Sequence, residues 1–494
     1  MSEKLDKART YEEKHEKFIT YVMRPEFHLT PRVGWMNDPN GFSFYNGMYH
    51  MFYQYYPYMS QWGPMHWGHA VSKDLLHWGY LPCAMAPDRK YDKAGCFSGS
   101  AITLSDGRQL LMYTGVRREK DEDGESHDVQ TQCLAVGDGE NYKKYKKNPV
   151  LSEADLPDGG SRNDFRDPKM IKCKDGSFMA VIANRSSDGS GQLLLYKSED
   201  GFDWKYFSTL DTNRNRYGKM WECPDFFELD GKYVIITSPQ DMLPEGLEFH
   251  NGNNTLFLSG TYDEETGHFN EEHAQSIDYG IDFYAPQTVL TADGRRIMIG
   301  WLQNWDACAI REPEAAWAGQ MSIPREISVK DGKLYQRPIR ELDDMRSNKA
   351  WHNNAELDGI KKFSDIHGRM CDITLKITPK DPEHLYQRFA MHFAENGNVH
   401  STVCYRPHEK VLKIDRKFSG SRRAIVHQRR CALEPALDGS ITLRIILDRY
   451  SCEVFADDGA KVMSMGVYTD ISAEGISFLS DGKVKLDVIK YDLR

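Results

Sequence analysis

Three carboxylates in this chain stand where chemistry could be done. Asp38 lies in GWMNDPNGF, Asp167 in NDFRDPK and Glu222 in MWECPDFF. Proline follows each acid directly or one residue later, and Phe165 and Trp221 set rings beside the second and third. Taken singly, each reads as a turn residue, because Asp caps its own backbone and Asp-Pro and Asn-Gly pairs mark turns. Together they share a register. Counting back nine residues from the glycine of a recurring Asn-Gly or Asp-Gly pair reaches Asp38 from Gly47, Asp167 from Gly176 and Glu222 from Gly231. The same count from Gly107 gives Ser98, and from Gly294 gives Ala285. Acids are 73 of 494 residues, so three in five such positions is more than chance supplies. Converging carboxylates repel, and they stay together only when one is protonated or a ligand needs them. Acid/base catalysis, a Ca²⁺ site and plain strand termination all fit the pattern. The aromatic surround favours a sugar over a bare cation.

The elements that must position these acids form a repeat. GFSFYNGMYHMFYQY, SAITLSDGRQLLMYTG, PKMIKCKDGSFMAVIAN, DFFELDGKYVIITS and TVLTADGRRIMIGWL each read as strand, tight turn, strand. Asn-Gly and Asp-Gly suit type I′ hairpins, which need positive φ at both central residues. One such hairpin falls roughly every 60 residues, which leaves room for two further strands per unit. Four-stranded units repeated radially make a β-propeller. The sequence therefore predicts an all-β chain: a five-bladed β-propeller over residues 25–340, followed by a C-terminal β-sandwich. The acids would line its central channel.

Beyond about residue 350, segments such as DITLKIT, RFAMHFA and SITLRIILD alternate between turns, as sandwich strands do. The polar stretch 341–357 reads as the linker, and 358–494 as the sandwich domain. At the other end, Leu5, Ala8, Tyr11, Phe18 and Val22 recur at near-helical spacing, so residues 1–24 read as a helical extension lying on the body.

Bulk properties narrow the function. The formal charge is −10 and no long basic run occurs, which argues against a nucleic-acid groove. No apolar run approaches the roughly 20 residues of a membrane span. Ten cysteines form no CxxC pair, so buried reduced thiols are expected, with no metal and no cofactor. The N-terminus lacks the apolar core of a secretory signal, and a cytoplasmic monomer or homodimer is the expectation.

WMNDPNGF, FYQYYP, WGPMHWGHAVSKDLLHW, FSGSA, FRDPK and ECPDFF, in that order between Phe27 and Arg325, resemble glycoside hydrolase family 32. That family holds invertases, sucrose-6-phosphate hydrolases, inulinases and levanases. SITLRIILDRYSCEVFADDG resembles its C-terminal sandwich. The resemblance implies a propeller plus sandwich and a retaining β-fructofuranosidase acting on sucrose, sucrose 6-phosphate or short fructo-oligosaccharides. It implies Asp38 as nucleophile, Asp167 as transition-state stabiliser and Glu222 as acid/base. It also points to Asn37, Gln54, Trp62, Phe97, Ser98 and Arg166 around the fructose ring, with Tyr284 and Trp301 at the funnel. His66, His69 and His77 read as packing and strand residues. A phosphate pocket would need cations such as Arg117, Arg118, Arg185 or Lys219. Transfructosylation, an inverting family 43 glycosidase and a non-catalytic fructan-binding propeller are the alternatives.

Overall fold

The computed structural model describes residues 2–308, 316–421 and 425–494. Five antiparallel sheets of four strands follow one another along the chain. Their innermost strands are Gly34–Tyr45, Gly95–Thr103, Phe165–Lys172, Trp221–Leu229 and Tyr284–Leu290, in blades one to five. The ring closes where the short strand Trp317–Ala318, contributed after blade five begins, pairs in parallel with Gly34 and Trp35 of blade one. Among the described residues, no helix is long and apolar enough to cross a membrane.

The five recurring turns are of two kinds. Asn46-Gly47 and Asp230-Gly231 are two-residue turns with positive φ at both positions, as type I′ requires. The Asp106-Gly107, Asp175-Gly176 and Asp293-Gly294 turns close three-residue loops, in which Leu104, Cys173 and Thr291 donate to the carbonyls of Arg108, Ser177 and Arg295. There glycine alone takes the left-handed conformation, so the uniform type I′ expectation holds for two turns of five.

Each innermost strand also slips register at one level. The breaks fall between Met36 and Pro39, Phe97 and Gly99, Arg166 and Lys169, Glu222 and Asp225, and Tyr284 and Gln287. Bulges re-aim side chains and often border functional sites. GWMNDPNGF is therefore strand throughout, bulged twice, rather than the turn its composition suggests. The bulges also correct the register count. Asp167, Cys223 and Ala285 each precede proline and have φ of 62°, 48° and 50°, so in blade four the position matching Asp167 belongs to Cys223. Glu222 stands one residue upstream, level with Arg166 and Tyr284 as the last paired residue before each break.

The C-terminal part of the chain is a second β unit built around the 19-residue strand Gly475–Leu493, which pairs with Arg346–Lys361, Cys371–Pro379 and Arg388–Asn396. The stretch expected to be a linker is thus structured. A short 3-10 turn at Arg340–Met345 leads directly into the long strand Arg346–Lys361. The helix Glu3–Glu16 lies on blade one, with Leu5, Ala8 and Glu12 buried and the Ser2 hydroxyl capping the Leu5 N–H. Phe18 and Val22 fall beyond it and are 65% and 61% exposed, so the amphipathic reading stops short of them. All ten cysteines are free.

Propeller and second unit are joined through buried charge. His28 bridges Asp448 at 2.8 Å and Glu453 at 3.0 Å, while Arg325 contacts Glu453 at 2.6 Å and Asp278 at 3.0 Å. Removing one member of such a cluster leaves an uncompensated buried charge. Tyr279 and Ile281 add backbone hydrogen bonds to Val462 and Ser464.

Candidate active site

The bulges bring Asp38, Asp167 and Glu222 into one cavity of about 400 Å³ at the channel mouth, together with Asn37, Gln54, Trp62, Phe97, Ser98 and Arg166. Hydrogen bonds fix each acid. Asp38 accepts from Ser98 Oγ at 2.8 Å on Oδ2 and from Asn37 Nδ2 at 3.1 Å on Oδ1. Asn37 is oriented in turn by the Trp35 indole N–H at 2.8 Å. Asp167 Oδ2 accepts the Cys223 N–H at 2.9 Å. Glu222 Oε1 accepts from Arg166 Nε at 3.0 Å, and Oε2 from Tyr284 Oη at 2.7 Å and Gln240 Nε2 at 2.9 Å. Carboxylates with so many fixed partners are held in one rotamer, as preorganised catalysis needs.

The electrostatics follow from crowding. Burial, then the charge of Glu222, pushes the Asp38 carboxyl above the usual range, against the hydrogen bonds from Ser98, Asn37 and Cys223. Asp167 is raised by burial and by the other two acids, with Arg166 opposing. Burial works against the Arg166 charge, but Glu222, Asp167 and Asp164 outweigh it and hold the guanidinium cationic. The Cys223 thiol is pushed well up by burial and by Asp167 and Asp38, so it remains a hydrogen donor.

Two expected sugar contacts sit elsewhere. Trp301 is fully buried, packed on Trp35 and Trp305, and does not line the cavity. Tyr284 is also fully buried and reaches Glu222 instead of open space. Trp62 is 45% exposed at the rim, edge-on to Phe97. The sequence reading missed Gln240, Asp241, Asn253 and Trp305, which complete the wall. Trp305 lies four residues after Trp301 in IGWLQNW, just beyond the fifth hairpin; the other three come from a loop with no periodic signal. His66 and His69 are buried, on the Pro64 carbonyl and on His50, while at the surface the Asp74 carboxylate accepts the His77 N–H and meets its ring. Among the described residues, no trio of His, Cys, Asp or Glu is placed to hold a metal ion.

A propeller with fixed carboxylates crowded at its channel mouth beside aromatic walls has the layout of a glycoside hydrolase, and this chain is one. Residues 28–338 match the glycosyl hydrolases family 32 N-terminal domain and residues 341–492 the family 32 C-terminal domain. The chain belongs to glycosyl hydrolase family 32. It is 35% identical to a raffinose invertase of Escherichia coli, over 98% of this chain and 99% of that protein. It is 34% identical to a sucrose-6-phosphate hydrolase of Zymomonas mobilis, over 96% and 93%. Among solved structures, a Bombyx mori family 32 beta-fructofuranosidase superposes with a TM-score of 0.82 at 35% identity, covering 99% of this chain and 98% of that one. A sucrose-6-phosphate hydrolase of Lactobacillus gasseri gives 0.84 at 27% identity, covering 98% and 96%.

Proposed function

We propose that the chain is a retaining β-fructofuranosidase that cleaves the terminal β-D-fructofuranosyl bond of sucrose-type substrates. The observation that carries this reading is the convergence of Asp38, Asp167 and Glu222 in one cavity, each held by hydrogen bonds. In the first half-reaction Asp38 attacks the anomeric C2 while Glu222 protonates the departing glycosidic oxygen. The C2–O bond breaks, a C2–carboxylate ester forms on Asp38, and the aglycone leaves with the proton. In the second, Glu222 takes a proton from water, the resulting nucleophile attacks C2, and fructose leaves as Asp38 is regenerated. Asp167 accepts hydrogen bonds from ring hydroxyls, and these strengthen as C2 gains positive charge.

Proton NMR of early hydrolysis products, with mass spectrometry of Glu222→Gln incubated with an activated aryl fructoside, tests this. β-Fructofuranose first and a fructosyl adduct on the peptide carrying Asp38 are the expected results. Inverted fructose with no adduct would rule the mechanism out.

A further inference from the structure

Glu222 borders two compartments. One is the cavity of Asp38 and Asp167; the other, of about 540 Å³, is walled by Arg118, Asp128, Gln130, Asn163 and Asp164 and shares Phe97, Arg166 and Glu222 with the first. An acid/base residue must face the glycosidic oxygen, with fructose on the Asp38 side, so the second compartment receives the leaving group. We infer that it is built for an uncharged aglycone, and that sugars phosphorylated on the leaving group are the poorer substrates. This rests on the fructofuranosidase reading.

The charges carry the inference. The two compartments together are lined by the acids Asp38, Asp128, Asp164, Asp167, Glu222 and Asp241, against Arg118 and Arg166. Both arginines are already engaged. Arg118 Nε lies 3.3 Å from Asp128, and Arg166 lies 3.0 Å from Asp164 and from Glu222. Further out the pattern repeats. Arg117 pairs with Glu119, Arg185 lies 3.5 Å from Asp164, and exposed Lys219 lines neither compartment. One side of the wall is the ribbon of blade two, strands Gln109–Lys120 and Ser126–Gly137, whose residues 117–128 read RREKDEDGESHD, six acids against three cations. A phosphate dianion would meet net negative charge and would have to break an ion pair to find a cation. Like-charge juxtaposition of this kind is a strong device for rejecting a wrong partner. Arg118, Asp128, Gln130 and Asn163 offer an uncharged sugar both donors and acceptors.

The test is kcat/KM for sucrose, sucrose 6-phosphate and 1-kestose with the whole chain at low salt. Sucrose is expected to exceed its 6-phosphate about tenfold or more. The ratio should narrow as ionic strength rises to about 1 M, where the screening length falls to about 3 Å. Asp128→Asn, which releases Arg118, should narrow it about threefold. A 6-phosphate cleaved as well as sucrose, or a ratio indifferent to salt, overturns the inference and leaves the fructofuranosidase reading standing. Turnover of none of the three sugars overturns that reading itself.

Discussion

The Cys223 thiol lies between two of the cavity's three acids, 3.3 Å from Asp38 Oδ2 and 3.6 Å from Asp167 Oδ2. It is there because the bulge in blade four gives Cys223, not Glu222, the register position that Asp167 holds in blade three. Among the described residues its S–H reaches both carboxylates, and donation to a carboxylate favours the charged form.

Cys223→Ala removes that donor, so Asp38 ionises at higher pH. The acid limb of the kcat/KM profile should move upward, with a fall at neutral pH of about tenfold for one lost hydrogen bond to a charged group. Cys223→Ser, which keeps a donor, should restore most of the profile. A pH–rate series on the three proteins checks this, and an unmoved limb in Cys223→Ala would show that the thiol only fills space.

The two tryptophans of IGWLQNW should behave oppositely. Trp301 is sealed beneath Trp305 and Trp35, so Trp301→Phe should lower stability by about 1–3 kcal/mol while KM stays within about twofold. Trp305 forms cavity wall, so Trp305→Ala should raise KM several-fold with a smaller loss of stability. Urea unfolding and steady-state kinetics on both variants read the contrast, and a KM effect confined to Trp301→Phe would reverse the assignment.

That pair also shows how far sequence carries. Blade number was legible because Asn-Gly and Asp-Gly turns are local signals, whatever their loop length. The convergence of the acids was legible for a partly accidental reason. Blade one has a second bulge between Asn40 and Ser43, and blade three has a longer loop, so both add a residue that blade four lacks. Counting back nine therefore overshoots the matching position in blade four by one, onto Glu222, which still faces the cavity from the upstream side. Gln240, Asp241 and Asn253 were illegible because a loop places them by its tertiary packing. The Arg346–Lys361 strand was hidden by its polarity: it is an outer strand with most side chains in water.

His28 should give the protein an alkaline limit of stability. Burial works against its charge, but hydrogen bonds to Asp448 and Glu453 outweigh it and raise its pKa to about 9, from an ordinary value of 6.5. A raised folded value means the stabilisation is complete below about 6.5 and is lost as pH climbs through about 9, on the order of 3 kcal/mol in all. Tm measured against pH should therefore decline across that window. His28→Gln should be less stable at neutral pH and lack this decline, and a wild-type Tm that is flat from pH 7 to 9.5 would remove His28 from the account.

Lys169 and Asp225 should set the spacing of the strands that carry Asp167 and Glu222. Lys169 lies two residues beyond Asp167 and Asp225 three beyond Glu222, and their side chains meet at 3.0 Å in the interior. Asp225 Oδ2 also accepts from the Thr288 N–H at 2.9 Å and Oγ1 at 2.8 Å, and Lys169 Nζ reaches the Thr288 carbonyl at 3.2 Å. Thr288 follows Tyr284 on the strand that holds Glu222 Oε2. One ion pair thus ties together the innermost strands of blades three, four and five. Neutralising one partner leaves the other charge buried, so Asp225→Leu and Lys169→Met should each cost about 3–5 kcal/mol. The double variant Lys169→Met/Asp225→Leu removes both charges and should recover much of that stability. It should not recover kcat, because the strands carrying Asp167, Glu222 and Tyr284 then lose the hydrogen bonds that tie them together, and misplacement by about 1 Å is costly to catalysis. KM should change less than kcat in all three. Denaturation and kinetics on the double-mutant cycle separate the two roles: if kcat returns together with stability, the pair holds the fold and has no part in aligning the acids.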